Sequence, residues 1–207
     1  MVEEVYISNP DYQQVLEEAL SSDLIQVITP QQMRQISQMT TPPGVLAVCR
    51  MPPEIFPPQD IRACKAFYLD AIRDPGNLGT ILRIADWFGL DYVFLSEDCA
   101  DIFNHKVLQA SMGSALRVKV CTLDVQTLLE LCGGSMYACD TEGKDIFKMT
   151  PPLSGIIVLG NESLGVSGAI THQVKEVLAI PGQWSQGAES LNVASAAAIF
   201  AAWWRQA

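Results

Sequence analysis

Three short segments hold the residues whose types and spacing could do chemistry. They read DPGNLGTILRIADWFG from Asp74, VLGNESLG from Val158 and IPGQWSQGAESLNVASAAAI from Ile180. Each combines glycine, asparagine or serine with a charged residue at a point where a strand is expected to give way to a helix. Parallel α/β folds bind ligands at such junctions. The three segments are therefore the candidates for a ligand site.

The first segment places an arginine on a helix. Pro75 and Gly76 are expected to form a turn, Asn77 to cap a helix that runs to Gly89, and Gly79 to let the backbone approach a ligand. Arg83 lies off the apolar stripe of this helix, where its guanidinium could reach a phosphate or a carboxylate. A solvated arginine on a helix face is the alternative.

The other two segments supply a carboxylate and a pair of small polar residues. Glu162 directly follows an apolar strand and could bind a ribose or an amide, or cap the next helix. Ser190 and Asn192 precede an alanine-rich closing helix, and Ser190 could also be only its cap. That helix ends in Trp203 and Trp204 and could be either a core helix or a subunit interface.

Several classes of enzyme are disfavoured by what the sequence lacks. No GxGxxG is present, and no Lys-Ser or Lys-Thr pair follows the glycines after Val158, so nucleotide-phosphate loops are not expected. His105 and His172 have no nucleophile motif beside them, which argues against hydrolysis. The six cysteines never occur at CxxC spacing, so we expect reduced, mostly buried thiols and no metal.

Charge and hydropathy restrict the partners. The 207 residues carry a net charge of −10, and residues 1–60 alone hold eight acidic and two basic side chains. Bulk electrostatics therefore repel a polyanion, and a nucleic-acid substrate would need a local basic patch or a helper protein. No apolar run approaches the roughly 20 residues of a membrane span, and the N-terminus is acidic, so we expect a cytoplasmic protein without membrane contact.

The elements that must position these residues alternate regularly after residue 64. Alternating strands and helices predict an α/β fold with a mostly parallel sheet and helices on both faces. Strands are predicted at 65–72, 91–96, 117–121, 135–140, 156–160 and 177–180, and helices at 77–89, 105–110, 125–132, 169–173 and about 191–204.

The front of the chain has a different character. Residues 1 to about 40 are polar and favour helix, with Thr29 as the cap of a short one, and Gly44 to Met51 read as a buried strand. Four prolines between residues 52 and 58 exclude a helix or a central strand there. We therefore predict a front region and linker over 1–58 and a main domain over 59–207.

Taken together and in this order, the three segments closely resemble the three motifs of the SpoU (TrmH) branch of the SPOUT superfamily, which are RNA ribose 2′-O-methyltransferases. The likeness covers about residues 60–207. NHKVLQASMGS from Asn104 resembles the stretch between the first two motifs. Residues 29–51 resemble the end of the small substrate-binding domain that many members carry in front, which would be short and incomplete here.

The resemblance implies a deep trefoil knot in the C-terminal part, S-adenosyl-L-methionine bound in that knot, tRNA or rRNA as substrate, and a homodimer that packs around the C-terminal helix. By motif position the functional residues would be Asn77, Arg83, Glu162, Ser190 and Asn192. The cofactor loops would be lined by Leu159, Gly160, Asn161, Ile180, Pro181, Ser190 and Leu191. In the family this arginine is discussed as the base, but a guanidinium stays protonated and is a poor base. We therefore expect Arg83 to clamp the phosphate beside the target ribose, and the sequence does not decide between the two roles.

The sequence departs from the family pattern in the third motif. IPG with Gly182 stands where IPM is usual, and SLNVASA stands where SLNVSVA is usual. The predicted function is methyl transfer from S-adenosyl-L-methionine to a ribose 2′-hydroxyl. The alternative is a catalytically idle SPOUT protein that binds the cofactor or a protein partner. The sequence names neither the RNA nor the nucleotide.

Overall fold

The chain divides into two compact units, residues 1–54 and 55–207, in a computed structural model that describes residues 1–182 and 188–207. The first unit holds a three-stranded sheet in the order β2-β1-β3, in which β1 runs parallel to β2 and antiparallel to β3. Its elements are β1 (Val2–Ile7), α1 (Asp11–Glu17), β2 (Ile25–Val27), α2 (Pro30–Ile36) and β3 (Val45–Cys49).

Two expectations about the first unit are wrong. The first 40 residues contain two strands as well as helices. The sequence pattern did not reveal β1, because only Val5 and Ile7 of this strand are buried and its acidic residues are exposed. The strand expected after Gly44 forms, but it is not buried: β3 is an edge strand whose last three residues are exposed. Thr29 caps α2 as predicted, in a reciprocal capping box with Gln32.

The second unit is built on a six-stranded sheet in the order β6-β5-β4-β8-β7-β9, in which every pair of neighbours is parallel. Its strands are β4 (Lys65–Leu69), β5 (Tyr92–Leu95), β6 (Val120–Thr122), β7 (Met136–Asp145), β8 (Gly155–Leu159) and β9 (Glu176–Ala179). Its helices are α3 (Pro75–Phe88), α4 (His105–Ser111), α5 (Val125–Cys132), α6 (Gly168–Thr171) and α7 (Val193–Trp204).

The predicted α/β class is confirmed by the way the strands divide their side chains. Phe67 and Leu69 of β4 enter a core with α3 and α7, whereas Ala66 and Tyr68 enter a second core with α5 and α6. Each face of the parallel sheet is therefore covered by helices. The chain order β7, β8, β9 differs from the spatial order β8-β7-β9, and the trefoil knot stays a prediction.

The start of α3 differs from the expectation. Asp74 is the cap, and its carboxylate accepts a 2.7 Å hydrogen bond from the backbone N–H of Asn77. Pro75 occupies the first helical position and Gly76 the second, so they are part of the helix and do not form a separate turn. Proline suits that position because its missing N–H would have had no partner in the first turn. This arrangement leaves the side chain of Asn77 free for other contacts.

The two tryptophans at the end of the closing helix α7 are buried in the core. Trp203 and Trp204 are only 3% and 1% exposed. Their indole N–H groups donate to the backbone carbonyls of Met149 and Pro152, at 3.4 Å and 2.7 Å. Both indoles are therefore core side chains, and the interface role that the sequence left open for the helix stays a prediction.

The segment that follows β8 folds back, so that the backbone at 165–166 packs against Gly160. A Cβ atom on Gly160 would lie 2.2 Å from the backbone carbon of Gly165 and 2.3 Å from the nitrogen of Val166. Only glycine permits backbone segments to approach this closely. Among the described residues, no helix combines the length and the apolar character needed to cross a bilayer.

Replacing Gly160 by alanine should lower the free energy of unfolding by at least about 2 kcal/mol, because the added methyl group overlaps backbone atoms that cannot rotate away. Denaturant titration measures this change. Gly168→Ala is the matched control, since its Cβ would meet only ordinary contacts at 3.8 Å or beyond. Wild-type stability of the Gly160 variant would contradict the close approach.

Candidate functional site

A cavity of about 440 Å³ lies in the second unit, where β8 and β9 end and β7 is irregular. The pairing of β7 with β9 shifts register between Cys139 and Lys144, which forms a bulge beside the cavity. The N-terminal part of α7 completes the wall. The lining residues are Cys139, Asp140, Thr141, Leu159, Gly160, Asn161, Glu162, Gly165, Ile180, Pro181, Gly182, Ala188, Glu189, Ser190, Leu191, Val193, Ala196 and Phe200.

All seven residues that the resemblance assigned to the cofactor lie in this lining. Glu162 lies there too, but Asn77, Arg83 and Asn192 do not. The prediction omitted the bulge of β7, which contributes Cys139, Asp140 and Thr141. Their position was not visible in the sequence, because β7 lies between β8 and β9 only in the folded sheet.

Asn161 organises the loop that follows β8. Its side-chain oxygen accepts hydrogen bonds from the backbone N–H groups of Ser163 and Leu164, at 3.0 Å and 3.2 Å. Its amide group donates to the backbone carbonyl of Ala71 at 2.9 Å. Asparagine commonly stabilises turns in this way. The loop is thereby fixed to the segment that leads into α3.

A buried carboxylate adds a second tie between the same two regions. Asp70, which follows β4, is 8% exposed and accepts a 2.7 Å hydrogen bond from the backbone N–H of Ser167. Its own backbone N–H donates to the carbonyl of Leu159 at 2.9 Å. A buried carboxylate needs such partners to offset the loss of hydration.

The three sequence motifs meet in a chain of side-chain hydrogen bonds. The amide nitrogen of Asn77 donates to Oε1 of Glu162 at 2.5 Å. The carbonyl oxygen of Asn77 accepts from the amide nitrogen of Asn192 at 2.9 Å. Asn192 also caps α7, because its Oδ1 accepts from the N–H groups of Ala194 and Ser195. One predicted residue from each motif thus lies in a single polar network.

Ser190 and Arg83 lie outside this network. Ser190 is exposed, lines the cavity and is not the cap of α7, so the alternative reading of it as a cap is wrong. Arg83 is exposed on α3, six residues and thus roughly 9 Å along the axis from Asn77. Its guanidinium makes no ion pair or hydrogen bond with any residue in the described part of the chain.

The nearby acidic residue of α3, Asp86, is paired with residues other than Arg83. Asp86 accepts hydrogen bonds from Arg117 and Ser114 at 2.6–2.9 Å, and these bonds hold the pKa of its carboxyl group below the usual range. Asp86 therefore does not pair with the Arg83 guanidinium. An arginine without such a partner is available to bind an external phosphate.

The cavity is acidic. Its described lining includes Asp140, Glu162 and Glu189 and no lysine, arginine or histidine. Burial raises the pKa of the Cys139 thiol well above its ordinary value, and the charge of Asp140 adds to the effect. Cys139 is therefore a neutral thiol and not a nucleophile at neutral pH.

No metal chemistry is indicated within the ranges 1–182 and 188–207. No group of three or more histidine, cysteine, aspartate or glutamate residues is arranged there to hold an ion. None of the six cysteines, all of which lie in the described part of the chain, forms a disulfide; two are buried, three half-buried and one exposed. The arrangement suits binding and orientation of a small organic molecule by backbone and side-chain polar groups.

Comparisons with known proteins show the family of the chain. The model of the SpoU rRNA Methylase family matches residues 65–202. The 23S rRNA (guanosine(2553)-2′-O)-methyltransferase RlmP of Bacillus subtilis is 36% identical over 170 residues, which cover 79% of this chain and 65% of RlmP. An uncharacterized tRNA/rRNA methyltransferase of Synechocystis is 29% identical over 81% of this chain and 62% of its own length. The chain thus spans less than two thirds of these relatives.

Solved structures share the fold over almost the whole chain. An RNA methyltransferase of the TrmH family from Porphyromonas gingivalis superposes with a TM-score of 0.81 and 33% identity, covering 99% of this chain and 82% of the other. The SpoU methyltransferase AviRb from Streptomyces viridochromogenes, solved with AdoMet, gives a TM-score of 0.80 at 22% identity, with 99% and 82% coverage.

Replacing Asn77 by aspartate should lower the free energy of unfolding by about 1 kcal/mol or more, because the donor to Glu162 becomes a second carboxylate. Adding Glu162→Gln should recover most of the loss, since glutamine supplies the missing donor. Denaturant titration of both single variants and the double variant measures this coupling. Strictly additive losses would show that the two side chains do not interact.

Proposed function

The chain belongs to the SpoU rRNA methylase family, and on that premise we propose that it is an enzyme that transfers a methyl group from S-adenosyl-L-methionine to a ribose 2′-hydroxyl of tRNA or rRNA. The observation that carries the proposal is the hydrogen-bonded contact of Glu162, Asn77 and Asn192 beside the acidic cavity. A network that joins three separate motifs costs stability unless every member is satisfied, and here every polar group named has a partner.

The cavity suits the proposed cofactor. Its volume lies within the range of small-molecule sites, and its lining mixes apolar side chains with exposed loop backbone. Leu159, Gly160, Asn161, Ile180, Pro181, Ser190 and Leu191 are the residues proposed to hold it. When bound, S-adenosyl-L-methionine supplies an electrophilic methyl group on a sulfonium.

The proposed work of the protein is mainly positioning. Bringing the ribose oxygen into line with the methyl group removes much of the entropic barrier, so rigid side chains beside the cavity matter most. Asn77 is fixed from both sides, by Glu162 and by Asn192, and is therefore suited to orient the ribose. Ser190, on the lining itself, is a further polar group for the same site.

Arg83 is proposed as the clamp for the phosphate next to the target ribose. A guanidinium is a cation that offers a planar pair of donors, which match the oxygens of a phosphate. Its exposure and its lack of a partner in the described part of the chain leave it available to a ligand larger than the cavity. A role as general base would require a deprotonated guanidinium, which is costly to form at neutral pH.

The front region, predicted as residues 1–58, is proposed to contact the RNA as a shortened substrate-binding region. Its charge is unfavourable for that task, because Arg50 is paired with Glu3 and leaves Arg34 as its other basic residue. A low RNA affinity of the purified chain would show that a helper protein is needed for binding. An idle SPOUT protein is the second candidate, favoured by the net charge of −10.

A homodimer through the C-terminal helix and a cytoplasmic location complete the proposal. Although the tryptophans of α7 are buried, the same helix has an outer side on which Ser195 and Ala202 are exposed and Ala198 is half-buried. Such small residues permit a second helix to approach closely.

Labelled methyl transfer from S-adenosyl-L-methionine to RNA that lacks the modification tests the activity. The wild type should methylate the RNA, and Arg83→Ala should reduce the rate by about 100-fold or more if the clamp stabilises the transition state. Arg62→Ala is the matched control, because Arg62 precedes β4 at the opposite end of the sheet and forms an exposed pair with Asp60.

Two results would decide against parts of this proposal. Cofactor binding without any methyl incorporation into tRNA or rRNA would support the idle protein. Full activity of Arg83→Ala with unchanged RNA affinity would contradict the clamp and leave the remaining site assignments standing.

Introducing a charge on the outer side of α7 tests the dimer. Ala202→Glu should shift the protein from dimer to monomer in sedimentation velocity, because a carboxylate would be buried in the helix contact without a partner. Ala169→Glu, at an exposed position of α6, is the matched control. A dimer that persists in the Ala202 variant, with native circular dichroism, would contradict an interface on this helix.

A further inference from the structure

The charge of the cavity lining is one-sided. Three carboxylate residues, Asp140, Glu162 and Glu189, line it, and the described lining contains no basic side chain. Residues 183–187, which lie outside the described part of the chain, are uncharged in the sequence. The nearby basic residue of β7, Lys144, is paired with Glu176. No cation of the described lining therefore compensates the three acids.

Asp140 is held in place by the bulge of β7. Its Oδ1 accepts hydrogen bonds from the backbone N–H of Glu142 at 3.1 Å and from the hydroxyl of Thr141 at 3.3 Å. Because β7 lies between β8 and β9, Asp140 stands between the two loops proposed to hold the cofactor. No motif of the sequence analysis included it.

The two forms of the proposed cofactor differ by one charge. S-adenosyl-L-methionine has a sulfonium, whereas its product, S-adenosylhomocysteine, has a neutral thioether in the same position. An acidic wall attracts the first more strongly than the second, because only the first is cationic. The same wall repels nucleoside phosphates, which agrees with the absence of a phosphate loop.

Resting on the proposed function, we propose that Asp140, assisted by Glu189, is a specificity-determining residue that makes the cavity select the cationic cofactor over its neutral product. Loss of the positive charge on methyl transfer weakens the attraction and favours release of the product. Methyl transfer therefore lowers the affinity of the site for the bound molecule just before product release.

Calorimetric titration with three ligands tests this inference without any activity measurement. The ligands are S-adenosyl-L-methionine, S-adenosylhomocysteine, and sinefungin, which has a cationic amine in place of the sulfonium. We expect the wild type to bind both cationic ligands about tenfold more tightly than the neutral one. Asp140→Asn should reduce that ratio severalfold by weakening the cationic ligands, with the affinity for S-adenosylhomocysteine changed by less than about twofold.

Asparagine keeps the Oδ1 acceptor of the bulge, so Asp140→Asn should fold normally. Glu142→Gln is the matched control: it removes a charge from the same bulge, at a residue outside the lining. Glu189→Gln should act in the same direction as Asp140→Asn.

The outcomes separate this inference from the proposed function. An unchanged affinity ratio in Asp140→Asn, or sinefungin that binds like S-adenosylhomocysteine, would overturn the charge selection while cofactor binding stands. Failure of the wild type to bind any of the three ligands would overturn the proposed cofactor and this inference with it. An equal change of the ratio in the Glu142 control would overturn the assignment to Asp140.

Discussion

The contact of Gly160 with the backbone of Gly165 and Val166 is the constraint on which the site depends. It folds the segment after β8 back onto itself at a distance that no side chain permits. Asn161 then fixes the loop to the carbonyl of Ala71, at the approach to α3. The carboxylate of Glu162 thereby lies beside the first turn of α3, where it accepts a hydrogen bond from Asn77.

The polar network follows from that placement. Asp74 caps α3, which frees the side chain of Asn77, and Asn192 caps α7 with its oxygen while its nitrogen reaches Asn77. In Asn192, capping and bridging are done by different atoms of one side chain, so this residue contributes both to the stability of α7 and to the geometry of the site. Arg83 remains apart from the network, on the outer surface of α3.

Electrostatics pose the main physical problem for the proposed activity on RNA. The chain is strongly acidic, and its cavity is acidic as well. These two facts need not conflict, because a polyanion would contact the surface around Arg83, whereas the cavity would receive a small cationic molecule. Separation of the two charges over the site would let the proposed ligands of opposite sign bind to one protein.

The sequence by itself determined the alternation of strands and helices in the second unit, since hydrophobic periodicity and glycine stops are local properties. It also indicated the family, because the residue types and spacing of the three motifs are specific. It misassigned the cap of α3 and missed β1, where one buried face is too short to dominate its polar neighbours. Only the tertiary structure decided that Asp140 joins the cavity and that Trp203 and Trp204 belong to the core, because strand order and helix packing depend on contacts between residues far apart in the chain.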